Sequence, residues 1–379
     1  MKIVIAPDSF KESLTAKQVC IAIETGFKRV FPNAAYHLVP VADGGEGTVQ
    51  SLVDATKGEL KHLPVTGPMV KKVEAFYGLL GGDSHTAVIE MAAASGLHHV
   101  EAHLRNPKLA SSYGTGELIK AALDHGVKKI IIGLGGSATN DGGIGMLSAL
   151  GVIFLDEAGK EVVANGAALS EIKIIKTELI DPRLADCEIL VACDVDNPLC
   201  GIRGASHVFG PQKGATPEDI QFLDTSLKHY AACIKQQFNI DVLDQPGAGA
   251  AGGMGAALMA FTNATLKPGI ELVLEAVNLK QFMPDTDLVI TGEGRIDQQT
   301  VYGKTPMGVA TVAKQFNIPV IGIAGSLGNN HQAVYECGID AVFAAVPGAI
   351  TLQQAFAEAH DNVANVAENI AKIFVLKQY

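Results

Sequence analysis

The sequence holds no tryptophan, no CxxC pair and no run of lysine or arginine. Its six cysteines, Cys20, Cys187, Cys193, Cys200, Cys233 and Cys337, are scattered, and no His/Cys cluster has the spacing of a zinc site. Free thiols in a reducing compartment are the expectation. The formal net charge is -11, and a chain with no basic surface is a poor partner for nucleic acid or an anionic membrane. No stretch reaches about eighteen clean apolar residues, the length a membrane span needs. The glycine-heavy segment 246–261 is too short for one. The opening MKIVIAPD reaches Pro7-Asp8 too soon for a signal peptide. A soluble, cytoplasmic protein is therefore expected.

What is present is apolar residues and glycine. Of 379 residues 48% are hydrophobic, ample for a large core, and the 41 glycines cluster in turns. The length suggests roughly two or three domains. Ile3-Val4-Ile5 reads as a buried strand, 15–30 as a helix with Thr15 as N-cap, 36–41 as a second strand and 48–56 as a second helix. This βαβα opening is the signature of a parallel sheet. From 59 to 91 short runs alternate between Gly-Pro and Gly-Gly breaks, as in an antiparallel meander. Helices are expected at 115–125 and 216–238, the latter with Thr216 as N-cap and Pro217 at its first position. A second α/β run follows 287, with strands at 287–291, 319–324 and 341–345, helices at 306–316 and from 331, and a closing helix over 352–376. The economical architecture is α/β with two domains. Residues 1–62 and 285–379 form a discontinuous, Rossmann- or flavodoxin-like parallel domain, and 63–284 form an inserted mixed α/β domain.

The most informative stretch is GLGGSATNDGG, residues 133–143. An apolar strand, 127–132, precedes it and a small-residue helix, 144–150, follows. That arrangement aims free backbone N–H groups at an anion. Gly135 and Gly136 permit close backbone approach. Ser137, Thr139 and Asn140 add polar groups, and Asp141 is either a Mg²⁺ ligand or a helix cap.

Ligands of open parallel sheets bind at the carboxyl ends of strands. Here those ends carry Asp8/Ser9/Lys11, Asp43/Gly44/Gly45/Glu46, Gly135/Gly136/Ser137/Asp141, Asp194/Asp196/Asn197 and Glu293/Arg295/Asp297. Carboxylates alongside a few cations suit Mg²⁺-assisted phosphoryl transfer. Gly303-Lys304-Thr305 resembles the end of a Walker A loop, but Gln298 stands where that loop needs glycine. Gly247–Gly252 matches GxGxxG, with Glu271 about twenty residues on, yet Gln245-Pro246 precedes it in place of a strand. A close-packed helix with a glycine-rich lead-in is expected there. His37, His62, His98, His99 and His207 form no defensible triad, and His207 is read as structural.

Long motifs then resemble one family. MKIVIAPDSFKESL at Met1, PVADGGEGT at Pro40, IEMAAASGL at Ile89, GTGELI at Gly114 and GGSATNDGG at Gly135 are similar to bacterial glycerate kinases. So are ACDVDNPLCG at Ala192, FGPQKGA at Phe209, GAGAAGGMGAA at Gly247 and VITGEGRIDQQT at Val289. The resemblance implies an ATP-dependent kinase making 2-phosphoglycerate from D-glycerate, with ATP and Mg²⁺ as cofactors. It also implies two α/β domains with the active site in the cleft between them, and a monomer or homodimer. Chemistry suggests the roles. Asp194, or else Asp43, is the base for the attacking hydroxyl, with Lys11 in the catalytic set. Asp196 or Asp141 holds Mg²⁺. Lys213 and Lys304 meet the phosphates, and Gly135, Gly136, Ser137, Thr139 and the Gly252, Gly253, Gly255 turn meet the nucleotide. Asp8, Ser9, Asn140 and Arg295 bind glycerate. The rival readings are a kinase of another hydroxy acid, phosphorylation at the 3-hydroxyl, an NAD-dependent oxidoreductase using Gly247–Gly252, and a non-catalytic sensor of a small acid.

Overall fold

A computed structural model describes residues 1–82 and 85–376. Along them run thirteen strands: β1 (Lys2–Ile5), β2 (Ala35–Leu38), β3 (Glu59–Thr66), β4 (Lys72–Leu79), β5 (Thr86–Glu90), β6 (Lys129–Gly133), β7 (Ile153–Leu155), β8 (Ile174–Lys176), β9 (Glu188–Ala192), β10 (Thr265–Lys267), β11 (Leu288–Ile296), β12 (Val320–Leu327) and β13 (Ala341–Ala344). No helix among the described residues is long and apolar enough to cross a membrane.

The chain forms two compact units. The first comprises Met1–Asp43, Gln50–Gly58 and the chain from Ile270 onward; the second comprises Gly44–Val49 and Glu59–Gly269. Residues 59–62 thus belong with the second unit and 270–284 with the first.

Unit 1 is built on a parallel sheet of order β13-β12-β11-β1-β2. Its strands are short apolar runs, as expected where both faces are covered. Ile3, Ile5, Leu288, Ile290 and Ile323 face the helices Ala16–Lys28 and Ala359–Leu376 through Val19, Ile23, Phe27, Val363 and Ile370, all buried. Thr15 caps the first of these helices in a reciprocal capping box with Gln18. The closing helical segment is not continuous. Leu352–Ala357 and Ala359–Leu376 are separate, with Glu358 between them, and 331–337 is a 3₁₀ segment rather than an α-helix.

Unit 2 carries a six-stranded sheet of order β10-β9-β6-β5-β4-β3. The expected meander is there: β3, β4 and β5 pair antiparallel, after which β5, β6, β9 and β10 run parallel. β6 lies in the middle and ends at Gly133, so the glycine-rich loop leaves the centre of the sheet. The helix Pro217–Phe238, capped by Thr216 and Asp219 with proline in its first turn, packs Leu223, Leu227, Tyr230 and Ile234 into the same core.

Gly26 shows how tightly the two helices of unit 1 meet. A Cβ there would lie 2.1 Å from the Ala364 carbonyl oxygen. Alanine is the better helix former by about 1 kcal/mol, but forcing helices apart costs about 1–3 kcal/mol. Gly26→Ala is therefore expected to lose stability, by about 1–2 kcal/mol in urea unfolding; a gain would contradict the close contact.

Candidate active site

In unit 1 the winding reverses between β1 and β11. β1 leads outward to β2, whereas β11 leads the other way to β12 and β13. Such a reversal opens a crevice at the strands' carboxyl ends. Asp8 leaves β1 there, its N–H donating to the Gly292 carbonyl (2.8 Å). Its Oδ1 accepts the Ser9 N–H (2.6 Å), and its Oδ2 accepts the Thr305 hydroxyl (2.6 Å). Burial raises the Asp8 pKa to about 6; the Thr305 hydroxyl opposes the rise, and the charges of Asp43 and Glu293 add to it. Glu293, on β11, is also raised by burial, while the Thr300 hydroxyl (2.6 Å) and the Lys304 ammonium (3.4 Å) pull it back. Glu12, in the same β1 loop, is held at φ 66°, a conformation a non-glycine residue adopts at a cost. Lys11 beside it is exposed. Arg295 is taken by Asp297 (Nε to Oδ2, 3.1 Å).

In unit 2 most of the glycine-rich loop turns inward. Lys213 is 1% exposed. Its Nζ donates to Ser137 Oγ and to the Thr139 carbonyl, both at 2.6 Å, and burial lowers its pKa to about 7 against the pull of Asp141. Asp141, fully buried, accepts from the Ser112 N–H and hydroxyl (2.7 Å each) and from the Gly143 and Gly145 N–H groups. Of its two expected roles it fills that of cap, with its oxygens turned to four donors. Asn140 donates to Ser206 Oγ (3.1 Å). The Gly252–Gly255 turn packs on this loop: a Cβ on Gly252 would sit 2.1 Å from the Thr139 carbonyl, and the Gly252 carbonyl accepts the Gly142 N–H (2.9 Å). Its glycines serve backbone-to-backbone packing rather than an open cradle. The lead-in to the helix Ala250–Phe261 is left-handed at Ala251, Gly252 and Gly253, so the GxGxxG segment lacks the strand–turn–helix geometry of a dinucleotide site.

Only Gly135 and Gly136 of this loop are exposed. They line a pocket of about 610 Å³ with Gly45, Glu46, Glu90 and His98. Glu90 accepts the Val49 N–H (2.8 Å), and burial raises its pKa. The His98 and His99 rings lie 4.1 Å apart, and burial lowers the pKa of His98. Asp194 is exposed and accepts the Gly269 N–H (2.9 Å). Asp196 is 75% exposed and paired with Arg203 (2.8 Å). Among the described residues no three His, Cys, Asp or Glu side chains converge closely enough to hold a metal ion alone.

The structure thus brings Asp8, Ser9, Asp43, Glu293 and Lys304 into one neighbourhood, and Ser137, Thr139 and Lys213 into another. Sequence reading gave no role to Thr300, Thr305 or Glu90. The first two are signalled only by their place after the TGEG run, and Glu90 only by its place in IEMAAASGL.

A profile of the glycerate kinase family matches residues 3–375. The chain is 55% identical over 377 residues to a glycerate kinase of Haemophilus influenzae, covering 100% of each chain. It is 56% identical over 371 residues to the glycerate 2-kinase of Escherichia coli, covering 98% of this chain and 97% of the other. A crystal structure of a Salmonella typhimurium LT2 protein assigned as a glycerate kinase 2 superposes with a TM-score of 0.93 at 54% identity, covering 100% of this chain and 99% of that one.

Asp8 carries a consequence for stability. The folded protein holds the Asp8 proton up to about pH 6, while the unfolded chain releases it near the ordinary aspartate value of 3.8. The folded state thus binds more protons between these values, and stability falls as pH rises through them. Asp8→Asn removes that loss and is expected to stabilise the protein at pH 8 by about 1–3 kcal/mol. The advantage should vanish near pH 4. A variant no more stable than the parent at pH 8 would contradict the buried charge.

Proposed function

Because this chain belongs to the glycerate kinase family, we propose that it phosphorylates D-glycerate from ATP at the 2-hydroxyl and releases 2-phospho-D-glycerate and ADP. The observation that carries this is identity of 55–56% along the whole chain to relatives named glycerate kinase and glycerate 2-kinase.

The residues of unit 1 suit the chemistry. An alcohol attacks a phosphorus efficiently only if a base within hydrogen-bond reach receives its proton. Asp8 has the suitable pKa, raised toward neutrality yet ionised at pH 7, and it stands at the sheet's reversal point. We assign it the base role in place of Asp194, which is exposed and already accepts the Gly269 N–H. The hydroxyl proton passes to Asp8, the oxygen–phosphorus bond forms, and the bond to the ADP oxygen breaks. Lys304 and Lys11 supply positive charge for the phosphates and Ser9 a hydroxyl donor for glycerate. A Mg²⁺ ion accompanying the nucleotide would need only one or two protein carboxylates to hold it. Asp43 and Glu293 fit that donor set, and the ion would neutralise charge on the transferring group. In unit 2 the exposed Gly135 and Gly136 beside the 610 Å³ pocket present backbone to an anion, and Lys213 fixes the loop that carries them.

The test is ADP release with Mg-ATP and D-glycerate, with the product assigned by ³¹P and ¹H NMR. The 2-phosphate is expected; the 3-phosphate would correct the acceptor, and no turnover would overturn the reading. Asp8→Asn should cut kcat about 10²- to 10⁴-fold, with Asp194→Asn much closer to the parent. The reverse order would return the base role to Asp194.

A further inference from the structure

Unit 1 contains a second concavity on the helix side of its sheet, next to the Asp8 crevice and sharing the β1 loop with it. Its floor is the carboxyl ends of β11 and β12 at Gly294 and Gly325. Its walls are apolar: Phe10, Val346, Leu352, Phe356 and Val363. Its volume is about 130 Å³, close to that of a cavity that accepts one benzene ring, about 150 Å³. One polar side chain lines it away from solvent. Asn362 is 8% exposed, and its amide nitrogen has no hydrogen-bond partner among the described residues. Buried amides are almost always paired, so an unpaired one on a residue that lines a pocket marks a place for a ligand atom. Lys11 lies at the lining's exposed end and makes no ion pair among the described residues.

We propose that this pocket receives the nucleobase of the phosphoryl donor. The inference rests on the kinase reading above and adds to it where the donor's organic end lies. Glycerate has no apolar surface to match these walls, and a phosphate would be stripped of water among them. A flat heteroaromatic ring matches both features: its faces meet Phe10 and Phe356, and its edge pairs with the carboxamide. Asparagine is suited to the adenine edge because its donor and acceptor lie side by side, as adenine's N6 and N7 do. With the base there, the phosphates leave past Lys11 toward Glu293, which directly precedes Gly294 of the pocket floor.

The absence of tryptophan gives a clean reporter. Phe356→Trp places the protein's one indole in the wall. Adenosine is expected to quench it saturably, and D-glycerate is not. Adding Asn362→Leu, of similar size without the amide, should weaken adenosine about tenfold and leave inorganic triphosphate binding unchanged. Asn362→Leu in the otherwise unaltered protein should raise KM for ATP about tenfold, with KM for glycerate within twofold; this arm does not depend on the reporter. No quenching by adenosine, quenching by glycerate, or an unchanged KM for ATP would overturn the assignment. Turnover by the parent protein separates the two readings. Turnover without adenosine binding sinks the base pocket alone, whereas adenosine binding without turnover sinks the kinase reading alone.

Discussion

A half-buried carboxylate at the end of a central strand is the constraint on which the proposed chemistry of the first unit rests. Burying a charge is costly, and the group responds by holding its proton to higher pH. Asp8 is partly compensated by the Ser9 N–H and the Thr305 hydroxyl, while Asp43 and Glu293 press the other way. The balance leaves it near 6, ionised in neutral solution but basic enough to take a proton. Its position follows from the parallel sheet, which delivers every loop after a strand to the same edge. The reversal between β1 and β11 then opens that edge beside it.

The second unit applies burial to a different end. Lys213 gives its charge to an internal task, tying Ser137 and Thr139 together, and Asp141 does the same from the other side of the turn. A loop so tethered keeps two glycines at the surface with little freedom to collapse. Preorganised backbone donors act on an anion without first being reordered, and under the proposed function the two tethers would hold Gly135 and Gly136 ready for one.

Much of this was legible in the sequence. Short apolar runs gave the strands of the first sheet and most of the second, with β10 unforeseen; Thr15 and Thr216 announced their helices, and the Gln245-Pro246 lead-in told against a dinucleotide site at Gly247–Gly252. The clustering of acidic and glycine residues at strand ends marked the edges on which the proposed site lies. What stayed hidden depends on burial and contact between distant segments. Lys213 is read as meeting the phosphates, and nothing in the letters shows that the fold encloses it. Thr305 reads as the tail of a failed Walker motif until it meets Asp8, 297 residues away. The letters suggest Asp194 or Asp43 as the base and Asp8 as a glycerate contact, whereas the fold leaves Asp194 exposed and half-buries Asp8 beside Thr305. The break at Glu358 was missed because the apolar spacing continues on both sides of it.

The most direct test of this account is the pH dependence of kcat/KM for D-glycerate in the parent protein and in Thr305→Val. The substitution keeps the side chain's shape and removes the hydroxyl that favours the charged form of Asp8. The parent should show an acidic limb near pH 6, and the variant should show that limb displaced to higher pH. A limb that stays in place in the variant, or a profile flat down to pH 5, would show that the proton is received by another group.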